Sequence, residues 1–208
     1  MARKEEAYEY LKRKIITGEL KPESPIAELA VSAELNISRT PIREALRELE
    51  AEGLVVSYPA RGCFVTALTA SDVEEVFALR ILLERWAIEH SIYQIPEHVI
   101  EELMQKFREA ADPANREARF EAERALHAAI VEYAGSKRLV SFMRSLDSQV
   151  ERLRYLGGGG AARRDAAYRE QVEVLARLRE RDLPGCRYAL SQHLKNAAAA
   201  AMGGPKLT

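Results

Sequence analysis

Between residues 40 and 52 the apolar positions Ile42, Ala45, Leu46 and Leu49 recur at helical spacing, with polar residues between them. The spacing predicts an amphipathic helix with one buried stripe. Thr40, Arg43 and Arg47 fall on the opposite face, and Arg39 stands just before it. Ser38 or Thr40 can cap the N-terminus, and Pro41 suits a first turn, where its missing N–H costs little. Charge divides along the axis, with the arginines first and Glu48, Glu50 and Glu52 after them. That suits a helix whose N-terminal end faces phosphates and base edges in a major groove.

The flanking pattern gives this helix a context. Residues 3–17 read as a helix with Ala7, Tyr10, Leu11 and Ile15 on or near one face, stopped by Gly18. A proline-punctuated loop covers 21–25. A short helix then runs to about Leu35, with Ile26, Leu29, Ala30 and Ala33 expected inward. Asn36 and Ile37 make the tight turn that follows, and Asn tolerates the left-handed conformation such a turn needs. Residues 54–56 and 63–66 read as two short strands about a turn containing Pro59 and Gly62. Three helices followed by a hairpin make a winged helix-turn-helix, with Arg61 at the wing tip, in reach of a minor groove or a phosphate.

Beyond a short linker at 67–70, Ser71 and Glu74 have the spacing of a capping box. Helices are expected near 72–94, 97–111, 115–134, 137–156, 162–182 and 185–202. Breaks fall at Pro96, Asp112-Pro113, Gly135, the Gly157–Gly160 connector and Leu183-Pro184-Gly185. The expected fold is mainly α: an N-terminal winged helix-turn-helix over 1–67 and a C-terminal antiparallel all-helical bundle over 68–208.

Composition changes this picture little. A chain of 208 residues with 47% hydrophobic content holds one large domain or two small ones. The formal net charge is −1, and the first 66 residues carry ten Lys/Arg against eleven Asp/Glu. Any nucleic-acid affinity must therefore come from local placement of arginines. Cys63 and Cys186 match no zinc or redox spacing, so a reducing cytoplasm is the simplest setting. No apolar run is long enough for a membrane and no signal-peptide core is present, which points to a soluble cytoplasmic protein. Paired Glu-x-x-His motifs are absent, as is a nucleophile with a base, which argues against an enzyme.

In the C-terminal half, polar residues occupy positions where leucines are expected. Glu123 and His127 fall one turn apart among Phe120, Leu126, Ile130 and Val131. Gln171 falls among Ala167, Tyr168, Leu175 and Leu178, and His193 among Cys186, Ala189, Leu190 and Ala197. Burying such groups without partners is costly. They are expected either to be satisfied separately in the core or to meet at one site, with one another, a metal or a ligand.

The segments "IITGELKP", "NISRTPIREALRELEAEGLV" and "RGCFVT" resemble the DNA-binding domain of GntR-type bacterial transcription regulators over roughly residues 8–66. The resemblance implies that Arg39, Thr40 and Arg43, with Arg47 on the same face, contact bases and phosphates of a double-stranded operator. It likewise assigns Arg61 and Gly62 to the wing contact. The chain departs from the usual pattern at Glu23 and Asn36, which stand at glycine positions, at Ser32, which stands at a small apolar one, and at Glu28–Ala30, which lacks an arginine some members use. "FALRILLERWA", with Arg80 and Glu84, resembles the all-helical, FCD-like effector domain of the FadR-type branch. In its metal-binding members an aspartate, a histidine four residues on and two later histidines hold a divalent metal that helps grip a small carboxylate. Glu123 stands at the aspartate, His127 at the first histidine, Gln171 at the second and His193 at the third. Two outcomes follow. Glu123, His127 and His193 hold a weakened site for one divalent ion of the Zn, Ni or Mn class, or the pocket binds its effector without metal. Arg80 either grips the effector carboxylate or pairs with Glu84. The implied protein is a homodimeric, ligand-responsive transcription regulator of a palindromic operator. The rival is a helical-bundle metalloprotein or enzyme with an accessory winged domain.

Overall fold

The computed structural model describes residues 2–157 and 160–203. Helical spacing sets its first three elements, α1 (Ala2–Ile16), α2 (Glu28–Leu35) and α3 (Arg39–Ala51). Ala7, Leu11 and Ile15 of α1, Val31 of α2 and the stripe Ile42, Ala45, Leu46 and Leu49 of α3 share one apolar core. The antiparallel hairpin of β1 (Val55–Tyr58) and β2 (Gly62–Val65) closes it with Val55, Cys63 and Val65. Three helices and a two-stranded wing are thus present in the expected order.

The inward face of α2 differs from the expected one. Leu29 is 70% exposed and Ala30 and Ala33 are exposed, while Val31 is buried and Leu35 half-buried. The helix begins only at Glu28, so Val31 and Leu35, one turn apart, are the residues that face the core, and Ile26 is buried ahead of the helix. Alanines at 30 and 33 carry too little apolar surface to mark a face from sequence. Ser32 earns its place at the following turn: its hydroxyl donates to the Ile37 carbonyl at 2.6 Å, and its own carbonyl accepts from the N–H of left-handed Asn36 (φ 51°). Ser38 stands at the N-cap of α3, but no side-chain capping bond forms there.

By contacts the chain divides into two compact units, one built on Met1–Val73 with Arg144–Gly158, the other on Glu74–Met143 with Gly159–Gly203. In the first, the later turns of α7 (Lys137–Gly157) pack beside α1 and the end of α3. Glu52 gathers them: its carboxylate accepts from Ser148 at 2.7 Å, from Lys12 at 3.0 Å and from Tyr8, and its backbone carbonyl accepts from Gln149 at 3.1 Å. Arg152, fully buried, donates to the Thr66 hydroxyl at 2.8 Å and carbonyl at 2.6 Å, and burial pulls its pKa down to about 10. The stretch 67–70 is therefore no slack linker. Leu68 is buried, and α4 (Ala70–Ser91) starts inside it. The capping box is formed by Thr69 and Asp72, not Ser71 and Glu74: Asp72 accepts from the Thr69 N–H at 2.7 Å and the Thr69 hydroxyl accepts from the Asp72 N–H at 3.2 Å.

The second unit is helical among the described residues. It contains α5 (Glu97–Glu109), α6 (Arg116–Glu132), α8 (Ala161–Arg179) and α9 (Leu183–Met202) beside most of α4. α8 and α9 run antiparallel, since Val174 pairs with Cys186, Gln171 with His193 and Glu170 with Asn196. α8 also packs on α5 and α6. The Gly157–Gly160 connector lies partly outside the described residues, at Gly158 and Gly159.

Glu23 adopts φ 62°, a left-handed conformation that strains any residue with a Cβ, while its N–H bonds the Val65 carbonyl at 3.0 Å. Glu23→Gly removes that strain, partly offset by greater freedom of the unfolded chain. It is expected to stabilise the protein by about 0.5–1 kcal/mol. Thermal unfolding should show a rise of roughly 1–4 °C, and a fall would show that the side chain is needed there.

Candidate nucleic-acid interface and buried histidine site

The outer face of α3 is a row of exposed polar residues. Arg39, Thr40, Arg43 and Arg47 all reach solvent there, because the Ile42–Leu49 stripe fixes the opposite side in the core. Arg39 and Arg43 are not unattended. Arg39 donates through Nε and Nη2 to Glu28 Oε2 at 3.2 and 3.0 Å, and Arg43 donates through Nε to the same oxygen at 2.9 Å. Burial alone would raise the Glu28 carboxyl, but these hydrogen bonds and charges outweigh it and hold it below the usual carboxylate range. Arg47 makes no ion pair among the described residues. At the wing, Arg61 follows Pro59 and left-handed Ala60 (φ 59°), and its guanidinium lies 5.4 Å from the Tyr58 ring centre and 5.8 Å from that of Phe64. Gly62 at φ 91° makes the bend that leads back into β2. Exposed guanidinium groups on a helix and a wing suit phosphates and guanine edges. The sequence marks Glu28–Ala30 only as a segment lacking an arginine some GntR-type members use against DNA, and does not show that Glu28 pairs with Arg39 and Arg43. The pairing depends on how α2 crosses α3, and linear spacing does not carry that information.

The second cluster lies within the helical unit. His127 of α6, Gln171 of α8 and His193 of α9 are each at most 3% exposed, and Glu123 of α6 is half-buried. One ligand atom each from Glu123, His127 and His193 lie within 4.8 Å of one another. The two imidazoles stack with centres 5.5 Å apart. His193 Nε2 stands 4.0 Å from Glu123 Oε1 and 3.5 Å from the Gln171 amide nitrogen. His127 Nε2 is buried and has no hydrogen-bond partner among the described residues.

Each histidine is held from behind by a carboxylate. His127 Nδ1 donates to Glu84 Oε2 at 2.5 Å, and Arg80 Nε donates to Glu84 Oε1 at 2.5 Å. His193 Nδ1 donates to Glu170 Oε2 at 2.9 Å, and Glu170 also accepts from Arg163 at 2.8 Å and Asn196 at 2.8 Å. Burial opposes ionisation of Glu84, yet the charges of His127 and Arg80 pull its pKa down to about 2. Burial likewise opposes ionisation of Glu170, and hydrogen bonds from His193, Arg163 and Asn196 bring it to about 2. Burial also lowers the His193 pKa, against the pull of Glu170. Two ionised carboxylates therefore fix the proton on each Nδ1. In the neutral ring Nε2 then carries its lone pair toward the shared space.

Of the residues expected at this site, the structure brings Glu123, His127, Gln171 and His193 together and places Arg80 on Glu84. Glu170, Arg163 and Asn196 were missed. Arg163 and Glu170 lie two turns apart on α8, and that spacing was the one available signal. The donor set fits a divalent ion of the Zn or Mn class: two oriented imidazole nitrogens, one of them an orphaned buried atom, and a carboxylate. Since Glu84 is fully buried between Arg80 and His127, Glu84→Ala removes a carboxylate from a buried cation. It is expected to cost about 3–5 kcal/mol, read as a lower denaturant midpoint. A loss under about 1 kcal/mol would place the pair in the class of weak surface bridges.

The two stretches of chain that carry these clusters match known protein families in the same order. The family described as "Bacterial regulatory proteins, gntR family" matches residues 3–65, and the "FCD domain" matches residues 75–196. The HTH-type transcriptional repressor RspR of Escherichia coli (strain K12) is 25% identical over 194 residues, 92% of this chain and 85% of that protein. The structure of E. coli McbR/YncC superposes with a TM-score of 0.82 at 20% identity, covering 97% of each chain. The Zn²⁺-bound FCD domain of TM0439 superposes with a TM-score of 0.59 at 22% identity, covering 65% of this chain and 95% of that one. These families and relatives are transcription regulators, not enzymes. The chain belongs to the GntR family of bacterial regulatory proteins and is a transcription regulator with an N-terminal helix-turn-helix domain and a C-terminal FCD domain.

Proposed function

We propose that this regulator binds a palindromic operator as a homodimer in the cytoplasm, and that a small carboxylate bound in its helical domain changes its affinity for DNA. The observation that carries the DNA half is the row of exposed guanidinium groups on α3, set opposite its buried stripe. In this reading Arg39, Thr40, Arg43 and Arg47 contact bases and phosphates in the major groove, and Arg61 and Gly62 bring the wing to the backbone or minor groove. A two-fold operator asks for a two-fold protein. On α4, Leu79, Leu82 and Trp86, spaced three and four residues apart, leave an exposed apolar face suited to a self-complementary contact.

The observation that carries the effector half is the buried, unpartnered His127 Nε2 beside His193, Glu123 and Gln171. Glu123, His127 and His193 would hold a divalent ion, with the Gln171 amide at its edge. When bound, such an ion supplies a Lewis-acidic anchor for a carboxylate. Arg80 acts in this scheme through Glu84, which orients His127, and its guanidinium adds positive charge near the effector. Coupling between effector and operator of the usual size is about 1–3 kcal/mol. A second reading has support from one distance. The Gln171 amide nitrogen is 3.5 Å from His193 Nε2, where it can donate to the lone pair a metal would use. That favours a pocket that binds its effector directly.

Two measurements test these halves. Arg43→Ala is expected to cost roughly 1–3 kcal/mol on a selected two-fold duplex and less on random DNA. An equal loss on both would reduce Arg43 to a phosphate contact. Elemental analysis of protein never exposed to chelator or a nickel column should find near-stoichiometric divalent metal. The His127→Ala/His193→Ala variant should hold none. No metal in either would leave the direct-binding pocket as the reading.

A further inference from the structure

We infer that Glu28 is a specificity-determining residue of the DNA-binding face, acting as a positioning residue for Arg39 and Arg43. The inference rests on the reading of α3 as the groove-facing helix. Three N–H groups from two arginines converge on the single oxygen Oε2. Arg43 is held only through Nε, so its two terminal nitrogens stay available as an end-on fork. Arg39 keeps Nη1. Neither has another ion-pair partner among the described residues. Both arginine side chains are about half exposed, whereas Glu28 is 23% exposed and so sits beneath them rather than beside them. Its position in the first turn of α2 also favours an ionised carboxylate.

Two consequences follow from charge and order. An unheld arginine samples many phosphates, and fixing it on a base edge costs rotamer entropy at the moment of binding. Glu28 fixes both arginines in the free protein. It also offsets one of the three arginine charges on the outer face of α3, in a domain whose formal charge is already close to zero. Sequence-independent attraction, which grows with the number of phosphates neutralised, is thereby lowered. Specificity is a difference between two affinities, and Glu28 weakens the non-specific one while ordering the specific one. The competing account is a surface ion pair of negligible effect that does no more than suit the helix dipole.

The test uses the full chain and fluorescence anisotropy on two probes: a random-sequence duplex pool, and a duplex enriched from that pool by the wild type. Wild type, Glu28→Ala, Glu28→Gln, Arg43→Ala and Glu28→Ala/Arg43→Ala are compared across about 50–200 mM salt. Glu28→Ala is expected to bind the random pool about 5–10-fold tighter, with a salt slope steeper by about one. The enriched-to-random ratio should fall about tenfold or more. Glu28→Gln, which keeps an acceptor oxygen without the charge, should tighten random binding but keep part of the ratio. In the Arg43→Ala background the effect of Glu28→Ala on the ratio should shrink but not vanish, because one of the two groups being positioned is gone and Arg39 remains. An unchanged slope and affinity on random DNA would overturn the inference. So would parallel changes that leave the ratio intact. Thermal unfolding confirms that each variant is folded. If the wild type enriches no two-fold duplex, the palindromic-dimer reading fails. The ratio is then read on the best-enriched duplex of any symmetry, where a fall with Glu28→Ala supports the inference and an intact ratio overturns it.

Discussion

Desolvation of Glu84 is the constraint around which the helical domain is built. A carboxylate with no exposure inside a helical domain is strongly unfavourable unless its charge is answered locally. Arg80 answers it from its own helix, one turn back, and His127 answers it from α6. Once Glu84 has claimed His127 Nδ1, the other ring nitrogen has to face inward, toward Glu123 and His193. Glu170 repeats the arrangement for His193 from the edge of the bundle, with Arg163 and Asn196 in support. The orientation of the inner atoms is thus set by charges that lie behind them.

The same element, a carboxylate between cations, has a different meaning on α3. Glu28 and its two arginines are partly solvated, so their mutual attraction adds little to folding. What it changes is geometry: which nitrogens of each guanidinium are occupied and which remain for a partner. Burial separates the two cases. At full burial the pair governs stability and tautomer, and at the surface it adds little to stability and bears on orientation and local charge.

The sequence carried the fold well because the fold is mostly helical. Stripes such as Ile42–Leu49 and glycine or proline breaks are local signals, and every expected helix and both strands are present within a few residues. The errors arise where local signals are weak or degenerate. α2 has alanines where a face would be marked. Two overlapping capping motifs, Thr69/Asp72 and Ser71/Glu74, differ by only two positions, and Leu68 burial and α4's start favour the first. Inward-facing polar residues are legible as polar residues in leucine positions, which is how Glu123, His127, Gln171 and His193 stand out. Their supports were not legible. Glu28 and Glu170 look like ordinary surface acids in a chain that is 30% charged, and only the crossing of helices gives them partners.

The inner atoms of the histidine site also link two parts of the functional reading. With both rings neutral, their Nε2 lone pairs and the Glu123 carboxylate are acceptors, and among the described residues the Gln171 amide is a donor facing His193. A carboxylate effector brings only further acceptors and a second negative charge. In a poorly solvated site those charges repel unless a cation stands between them. The proposed divalent ion therefore favours the proposed carboxylate. A pocket without metal would select the opposite chemistry, a ligand rich in N–H donors such as a protonated amine. The identity of the effector and the occupancy of the metal site are in this sense one question, posed by the tautomers that Glu84 and Glu170 impose.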